Sequence, residues 1–288
     1  KAWCWFLFTP QGKNHAWEVF GYGEKQLDDE WKSWKQNIYE SGVFLPEQIE
    51  KLKKTSTQAT FAEEYMCEFL EGAGQVFRGV REIANAEPQE PMDGHLYVIG
   101  VDLGQVNDFT VITVYDRTTN AQVFQDRFNQ IEWPLQKKRI KAISDHYKRG
   151  LVVIDSSGVG SPIYEDLARA AIPIEPYKFT SQSKKDLIDK LSIFIEQKHI
   201  RIINTQETLY EFDNFKYEKS ETGIVRYGAP ENKHDDIVIA HSLAIWSLQP
   251  LYKEVIVKPK TRVQQAYEQA KENYRYEQND EWSEWSNI

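Results

Sequence analysis

Two apolar strands of this chain hold a carboxylate where a carboxylate is hardest to keep. The segment 96–103 (LYVIGVDL) reads as a strand of nearly unbroken apolar residues, yet Asp102 stands inside it. The segment 151–155 (LVVID) is a second buried-strand run, and it closes on Asp155. A third acidic position, the pair Asp235 and Asp236, opens the run HDDIVIA, whose apolar spacing is helical. A carboxylate in a β-core is costly unless something pairs with it. A divalent cation does this well, and magnesium takes few carboxylates while leaving its other positions to water and phosphate oxygens. Taken singly, Asp155 could be a turn or cap residue, and Asp235 and Asp236 could be N-cap acids favoured by the helix dipole. Asp102 interrupts a strand centre and has no such ordinary explanation. Together the positions point to a metal site.

The order of elements around these acids narrows the fold. Strands are expected at 96–103, 109–116 and 122–128, with a turn at Thr118-Thr119-Asn120. Then come a helix at 134–147, the strand 151–155, a helix at 164–171, a strand at 174–178 and a long amphipathic helix at 183–197. A hairpin over 215–228, turning at Glu221-Thr222-Gly223, and a helix over 235–248 complete the series. Three meandering strands followed by alternating α and β is the RNase H-like order. It predicts an α/β fold of the kind shared by RuvC and retroviral integrases, a mixed central sheet flanked by helices. In that order the first and fourth strands are neighbours, which sets Asp102 and Asp155 about 4.7–4.9 Å apart across the sheet. The last helix would carry Asp235 and Asp236 to the same point. Such a geometry suits two ions about 3.5–4 Å apart acting on a phosphodiester.

Other candidates keep two readings each. Asp108 is either a supporting carboxylate or a turn residue, and His234 is a ligand, a general base, a supporting group or a loop residue. Lys184, Lys185 and Lys190 begin a helix, where positive charge opposes the dipole; they either touch phosphate or form a solvated face. Lys216, Lys219 and Arg226 on the hairpin either lie against DNA or form a polar edge.

Outside this domain the signals are weaker. Residues 1–90 begin with an apolar run at 2–8, expected as a strand, that ends in Thr9-Pro10-Gln11-Gly12. Helices are expected from Pro46 and over 59–70. One strand and two helices make a poor core, and the chain does not start with Met, so 1–90 reads as part of a longer protein. Residues 251–288 read as a partly helical, flexible tail. The net charge of −9 argues against coating nucleic acid by bulk charge, and it leaves room for metal-binding acids beside a local basic groove. Cys4 and Cys67 lack zinc spacing. No apolar run approaches the roughly 18 residues of a membrane span.

The motifs GVDLG (100–104) with Asp108 following, VVIDSSGVG (152–160), a Lys-bearing helix and HDDIVIAHSLA (234–244) resemble, in order, the nuclease domain of the large terminase subunit of tailed bacteriophages. FTPQG (8–12) and FAEEYMCEF (61–69) resemble the end of the terminase ATPase and its linker. The resemblance implies domains at 1–90 (end of the ATPase, with linker), 91–250 (nuclease) and 251–288 (tail). It implies catalytic and metal-binding roles for Asp102, Asp155, Asp235 and Asp236, with Asp236 favoured as the leading ligand of that pair. Two Mg2+ or Mn2+ ions, double-stranded DNA as substrate, and the small terminase subunit and portal protein as partners are also implied. So are the cytoplasm of an infected bacterium as the place of action and absence from the mature virion. No GxxxxGK[ST] phosphate loop is present, so ATPase activity is not expected of this segment. The competing readings are an Hsp70- or sugar-kinase-like ATP-binding domain, a Holliday-junction-resolvase-like nuclease and a non-enzymatic assembly module.

Overall fold

A computed structural model describes residues 4–10, 13, 15–25, 30–70, 76–104, 108–158, 160–219, 225–230 and 233–250; the side chains of 218, 219, 225 and 226 are not described. The described residues belong to one unit, Lys1–Leu251. The expected turn at 221–223 and the tail at 251–288 lie outside them.

Five strands make the central sheet: β1 (Tyr97–Asp102), β2 (Thr110–Asp116), β3 (Ala121–Phe128), β4 (Leu151–Asp155) and β5 (Ile174–Tyr177). Their order is β3-β2-β1-β4-β5. β1–β2 and β2–β3 pair antiparallel, as tight connections allow. β1–β4 and β4–β5 pair parallel, each across a helix. These helices are preceded in the chain by α1 (His15–Glu24), α2 (Pro46–Thr55), α3 (Gln58–Thr60, running into a π turn at Phe61–Tyr65) and α4 (Val80–Ile83). α5 (Trp133–His146) and α6 (Gly160–Arg169) form the two crossovers, and α7 (Ser181–Glu196), α8 (Gln206–Asn214) and α9 (Asp236–Trp246) follow. β6 (Lys216–Lys219) and β7 (Val225–Gly228) form the expected hairpin as a separate two-stranded sheet.

The period-2 alternation of the strands sorts the core into two layers. Ile99, Val101, Ile112, Ile140, Val152, Ile154 and Leu167 pack under α5 and α6. Val98, Val111, Tyr115, Val153, Leu187, Leu191 and the apolar residues of α9 fill the other face. Phe77, Val80 and Ile83 join this second layer, with the Phe77 ring 5.0 Å from Phe212 and 5.3 Å from Phe215. The segment 76–83 is therefore part of the same core as the sheet. α9 lies against the backbone of β1, because a Cβ at Gly100 would stand 1.9 Å from the Ala240 carbonyl oxygen. Only glycine permits that approach.

The N-terminal region departs from expectation. Residues 4–10 form no strand, and Trp5 and Leu7 are exposed. No strand among the described residues pairs with this run, and an unpaired strand leaves its N–H and C=O groups without ladder partners. The expected helix over 59–70 ends earlier, in the π turn. Ile38, Ile49 and Phe61 form a small cluster of their own.

Candidate metal centre

The parallel register Val101↔Ile154 sets the next residues, Asp102 and Asp155, side by side at the carboxyl ends of two central strands. α9 meets the sheet there with its N-terminus foremost. Asp235 is the N-cap residue and Asp236 the first helical residue. Gly104, just after β1, lies against the start of β2. Thr110 Oγ accepts the Gly104 N–H at 3.0 Å and donates to the Gly104 carbonyl at 2.8 Å, and the buried Gln136 amide donates to that carbonyl at 3.0 Å. A Cβ at Gly104 would stand 2.5 Å from the Asp108 backbone, so a side chain there would push Asp108 away.

These contacts bring Asp102, Asp155, Asp235 and Asp236 into one electrostatic neighbourhood. The Asp102 carboxyl is held well above the usual carboxylate range, first by burial and then by repulsion from Asp236, Asp235 and Asp155. Lys184 at the start of α7 opposes this, with its ammonium 3.6 Å from Asp235. Burial also raises Asp236, against the Phe109 N–H, which donates to it at 3.3 Å, and His234, whose Nδ1 lies 3.4 Å away. Asp108 and Asp235 push it further up. Single ligand atoms of Asp108, His234 and Asp236 lie within 4.8 Å of one another. Asp108, expected as support or a turn residue, and His234, left open between ligand, general base, support and loop, thus group with Asp236. Asp155 accepts the Ser157 N–H at 2.8 Å, and that turn leads into α6.

The lysines separate. Lys184 faces the acids. Lys185 pairs with Asp189 on its own helix at 3.0 Å. Lys190 is not brought to the centre: it donates to the Trp246 and Leu248 carbonyls at 2.5 and 3.1 Å, neutralising the far end of α9. Lys216 is exposed on the hairpin, whose other strand passes the centre, since a Cβ at Gly228 would meet an Asp235 oxygen at 3.5 Å. The side chains of Arg226 and Lys219 lie outside the described residues.

Three groups beside the centre escaped sequence reading. Glu211 of α8 is buried, accepts the Ile237 N–H at 2.8 Å and lies 3.4 Å from Arg127. Burial lifts its carboxyl to about 7. The Arg127 guanidinium stacks over the Phe109 ring at 3.4 Å, and Phe109 meets His234 edge-on at 5.1 Å. A Glu three residues from Thr208 and two from Leu209, beside Phe212, was the available signal: an acid on the apolar stripe of a short helix.

Acids from two strands and a helix start form an acidic cluster on an RNase H-like scaffold. The model of the terminase RNaseH-like domain matches residues 99–248, just over half of the chain, and the chain belongs to that family. A curated relative, the terminase large subunit of Thermus virus P23-45, is 30% identical over 273 residues, covering 84% of this chain and 55% of its own length. The chain thus spans about half the length of the curated relatives it matches. The crystal structure of the large terminase nuclease from thermophilic phage G20c with bound magnesium superposes with a TM-score of 0.59 at 30% identity, over 62% of this chain and 100% of that one. The same nuclease with bound cobalt gives 0.58 at 30% identity, over 62% and 100%.

Proposed function

We propose that this chain is the nuclease part of a phage large terminase, a metal-dependent endodeoxyribonuclease that cuts concatemeric viral DNA during genome packaging with little sequence preference. The observation that carries the reading is the convergence of Asp102, Asp155, Asp235 and Asp236, which leaves Asp102 repelled by three other carboxylates with one lysine facing them. Such a donor set fits a hard divalent cation. We infer that these four residues would hold two Mg2+ or Mn2+ ions, with Asp236 leading the α9 pair. When bound, the ions supply Lewis acidity and a nucleophile at neutral pH.

The protein's own part is to hold the acids in register. The β1–β4 pairing fixes Asp102 beside Asp155, and Gly100 lets α9 approach closely enough to present Asp236. His234 and the Phe109 N–H orient the Asp236 carboxylate. Lys184, Lys216 and Arg226 are assigned to the DNA backbone, and Lys185 is left to its pair with Asp189. Residues 1–90 are read as the end of the ATPase and its linker, and ATP turnover is not part of the reading for this segment. Double-stranded DNA, a small terminase subunit and a portal protein are the partners, and the cytoplasm of the infected host is the place of action. No described helix is long and apolar enough to cross a membrane.

The test is cleavage of supercoiled plasmid with Mn2+, Mg2+ or EDTA, beside a folded Asp102→Ala variant. Nicking and linearisation that need metal and vanish in the variant are expected. Folded wild-type protein that cuts with neither metal would overturn the proposal.

A further inference from the structure

An acid at the start of a helix ordinarily spends its carboxylate on the helix. The N-cap side chain accepts the N–H of the second or third helical residue, which otherwise lacks a partner. Asp235 occupies the N-cap position of α9, and its side chain makes no such bond. The Ile237 N–H, the second of the helix, donates instead to Glu211 Oε2 at 2.8 Å, across from another helix. Glu211 is buried, with its other oxygen toward Arg127 at 3.4 Å. Arg127 in turn stacks on Phe109, whose N–H holds Asp236. The α8 helix that presents Glu211 is itself capped by Thr205, which accepts the Thr208 N–H.

We infer that Glu211 is a positioning residue for the metal centre: it caps α9 from outside, so that Asp235 and Asp236 keep their carboxylates for the cations. Arg127 holds Glu211 in place and braces Phe109 through its ring, so both sides of Asp236 are fixed by one ion pair. Without the external cap, the freed N–H would turn to the N-cap carboxylate of Asp235, the ordinary acceptor at that position, which would rotate onto the helix and leave the centre. The assignment rests on the metal-nuclease reading above. It also explains why an acid stands in a buried face of α8 beside a centre already crowded with negative charge: an acceptor is needed there that does not compete for the cations.

Two variants separate reach from charge. Glu211→Asp keeps the charge and withdraws the oxygen from Ile237 by one methylene, while Glu211→Gln keeps the acceptor and loses the charge. The readout is the Mn2+ concentration for half-maximal plasmid cleavage, with direct Mn2+ binding by calorimetry and circular dichroism to verify folding. Loss of an outer partner of a metal ligand typically weakens metal affinity about 10- to 100-fold. The expected result is a rise of about tenfold or more for E211D, with E211Q within about threefold of wild type and the DNA KM unchanged at saturating metal. Equal shifts in the two variants, a larger shift in E211Q, or no shift in either overturns the inference. E211Q near wild type is required even if E211D fails to fold. Asp236→Asn runs alongside: if its Mn2+ binding matches wild type, the underlying metal-site reading fails instead.

Discussion

The two ends of the α9–sheet interface treat buried polar groups in opposite ways. Toward the middle of the helix, His241 is fully buried and fully partnered: Tyr115 Oη lies 2.7 Å from its Nδ1, and Gln125 Oε1 lies 3.1 Å from its Nε2. Gln125 continues to Gln122 and Thr208, and Gln122 to Thr113. With Gln125 so oriented, its oxygen only accepts, so Nε2 carries the proton and Nδ1 accepts the tyrosine hydroxyl. At the helix start, by contrast, four carboxylates repel one another. Buried polar groups that complete their bonds internally specify packing, whereas groups crowded by like charge mark a candidate ligand site.

Replacing one group from each end should reverse the two phenotypes. Asp102→Asn removes a repelled charge, so metal-free melting should stay level or rise while cleavage falls at least about 10³-fold, some 4 kcal/mol of transition-state stabilisation. His241→Leu leaves the Tyr115 hydroxyl without its acceptor and takes one donor from the Gln125 carbonyl, which keeps Gln122. Such loss costs about 1–3 kcal/mol per group and should lower the melting temperature by about 5–10 °C, with cleavage near wild type at 20 °C. Calorimetry and plasmid assays on both variants decide it; an Asp102→Asn protein that melts well below wild type would make that acid structural.

A ligand that binds only the folded state stabilises it by about 2.7 kcal/mol at a hundredfold excess over its Kd. Saturating Mn2+ should therefore raise the melting temperature of wild type by about 5–10 °C and leave that of Asp102→Asn nearly unchanged. The His241→Leu variant should keep the full shift, because its damage lies outside the centre. Differential scanning calorimetry with and without metal is the measurement, and a shift that survives Asp102→Asn would move the cation elsewhere.

Acid separates the same two regions. Burial lowers the His241 imidazole to about 3, below its unfolded value near 6.5, so the neutral form belongs to the folded protein. Its contribution to stability is complete above pH 6.5 and is lost as pH falls from there toward 3. By pH 5 the loss reaches about 2 kcal/mol. Raised carboxyls such as Asp102 act with the opposite sign, since acid relieves their repulsion. Metal-free unfolding measured between pH 7 and pH 5 should show a slope in wild type that flattens or reverses in His241→Leu. An unchanged slope would mean that His241 titrates freely.

Sequence alone revealed the carboxylate end better than the histidine end, for a physical reason. Asp102 and Asp155 interrupt apolar runs, a local contradiction visible without any partner, and the β-β-β-α-β order then made their strands neighbours. The polar layer gives no such sign. Gln122, Gln125 and Arg127 are ordinary polar residues in a strand of mixed pattern and contradict nothing around them; α8 and α9, far along the chain, are what cover them. α8 went unread because its nine residues, QETLYEFDN, offer barely two turns of apolar spacing between charges. With it went Glu211. The N-terminal run at 4–8 failed for the converse reason: apolar and aromatic composition favours a strand, but a strand also needs a neighbour to pair with.

The helix lysines give the finest division, because the two regions meet along α7. Six residues separate Lys184 from Lys190, roughly 9 Å along the axis and well round the helix. The first therefore faces Asp235, while the second reaches the carbonyls at the other end of α9. Lys184→Ala should lower plasmid cleavage several-fold at saturating Mn2+ and reduce the salt slope of DNA binding by about one, as loss of a phosphate contact does. Lys185→Ala, whose ammonium is occupied by an exposed pair with Asp189, should change cleavage by less than about twofold. Lys190→Ala should leave the salt slope intact and cost about 1 kcal/mol of stability through the uncapped carbonyls. Fluorescence anisotropy of a DNA duplex across a salt series, with melting curves for each variant, distinguishes these outcomes. A salt slope that changes as much in Lys190→Ala as in Lys184→Ala would erase the boundary between the packed end of α9 and the end left open for DNA.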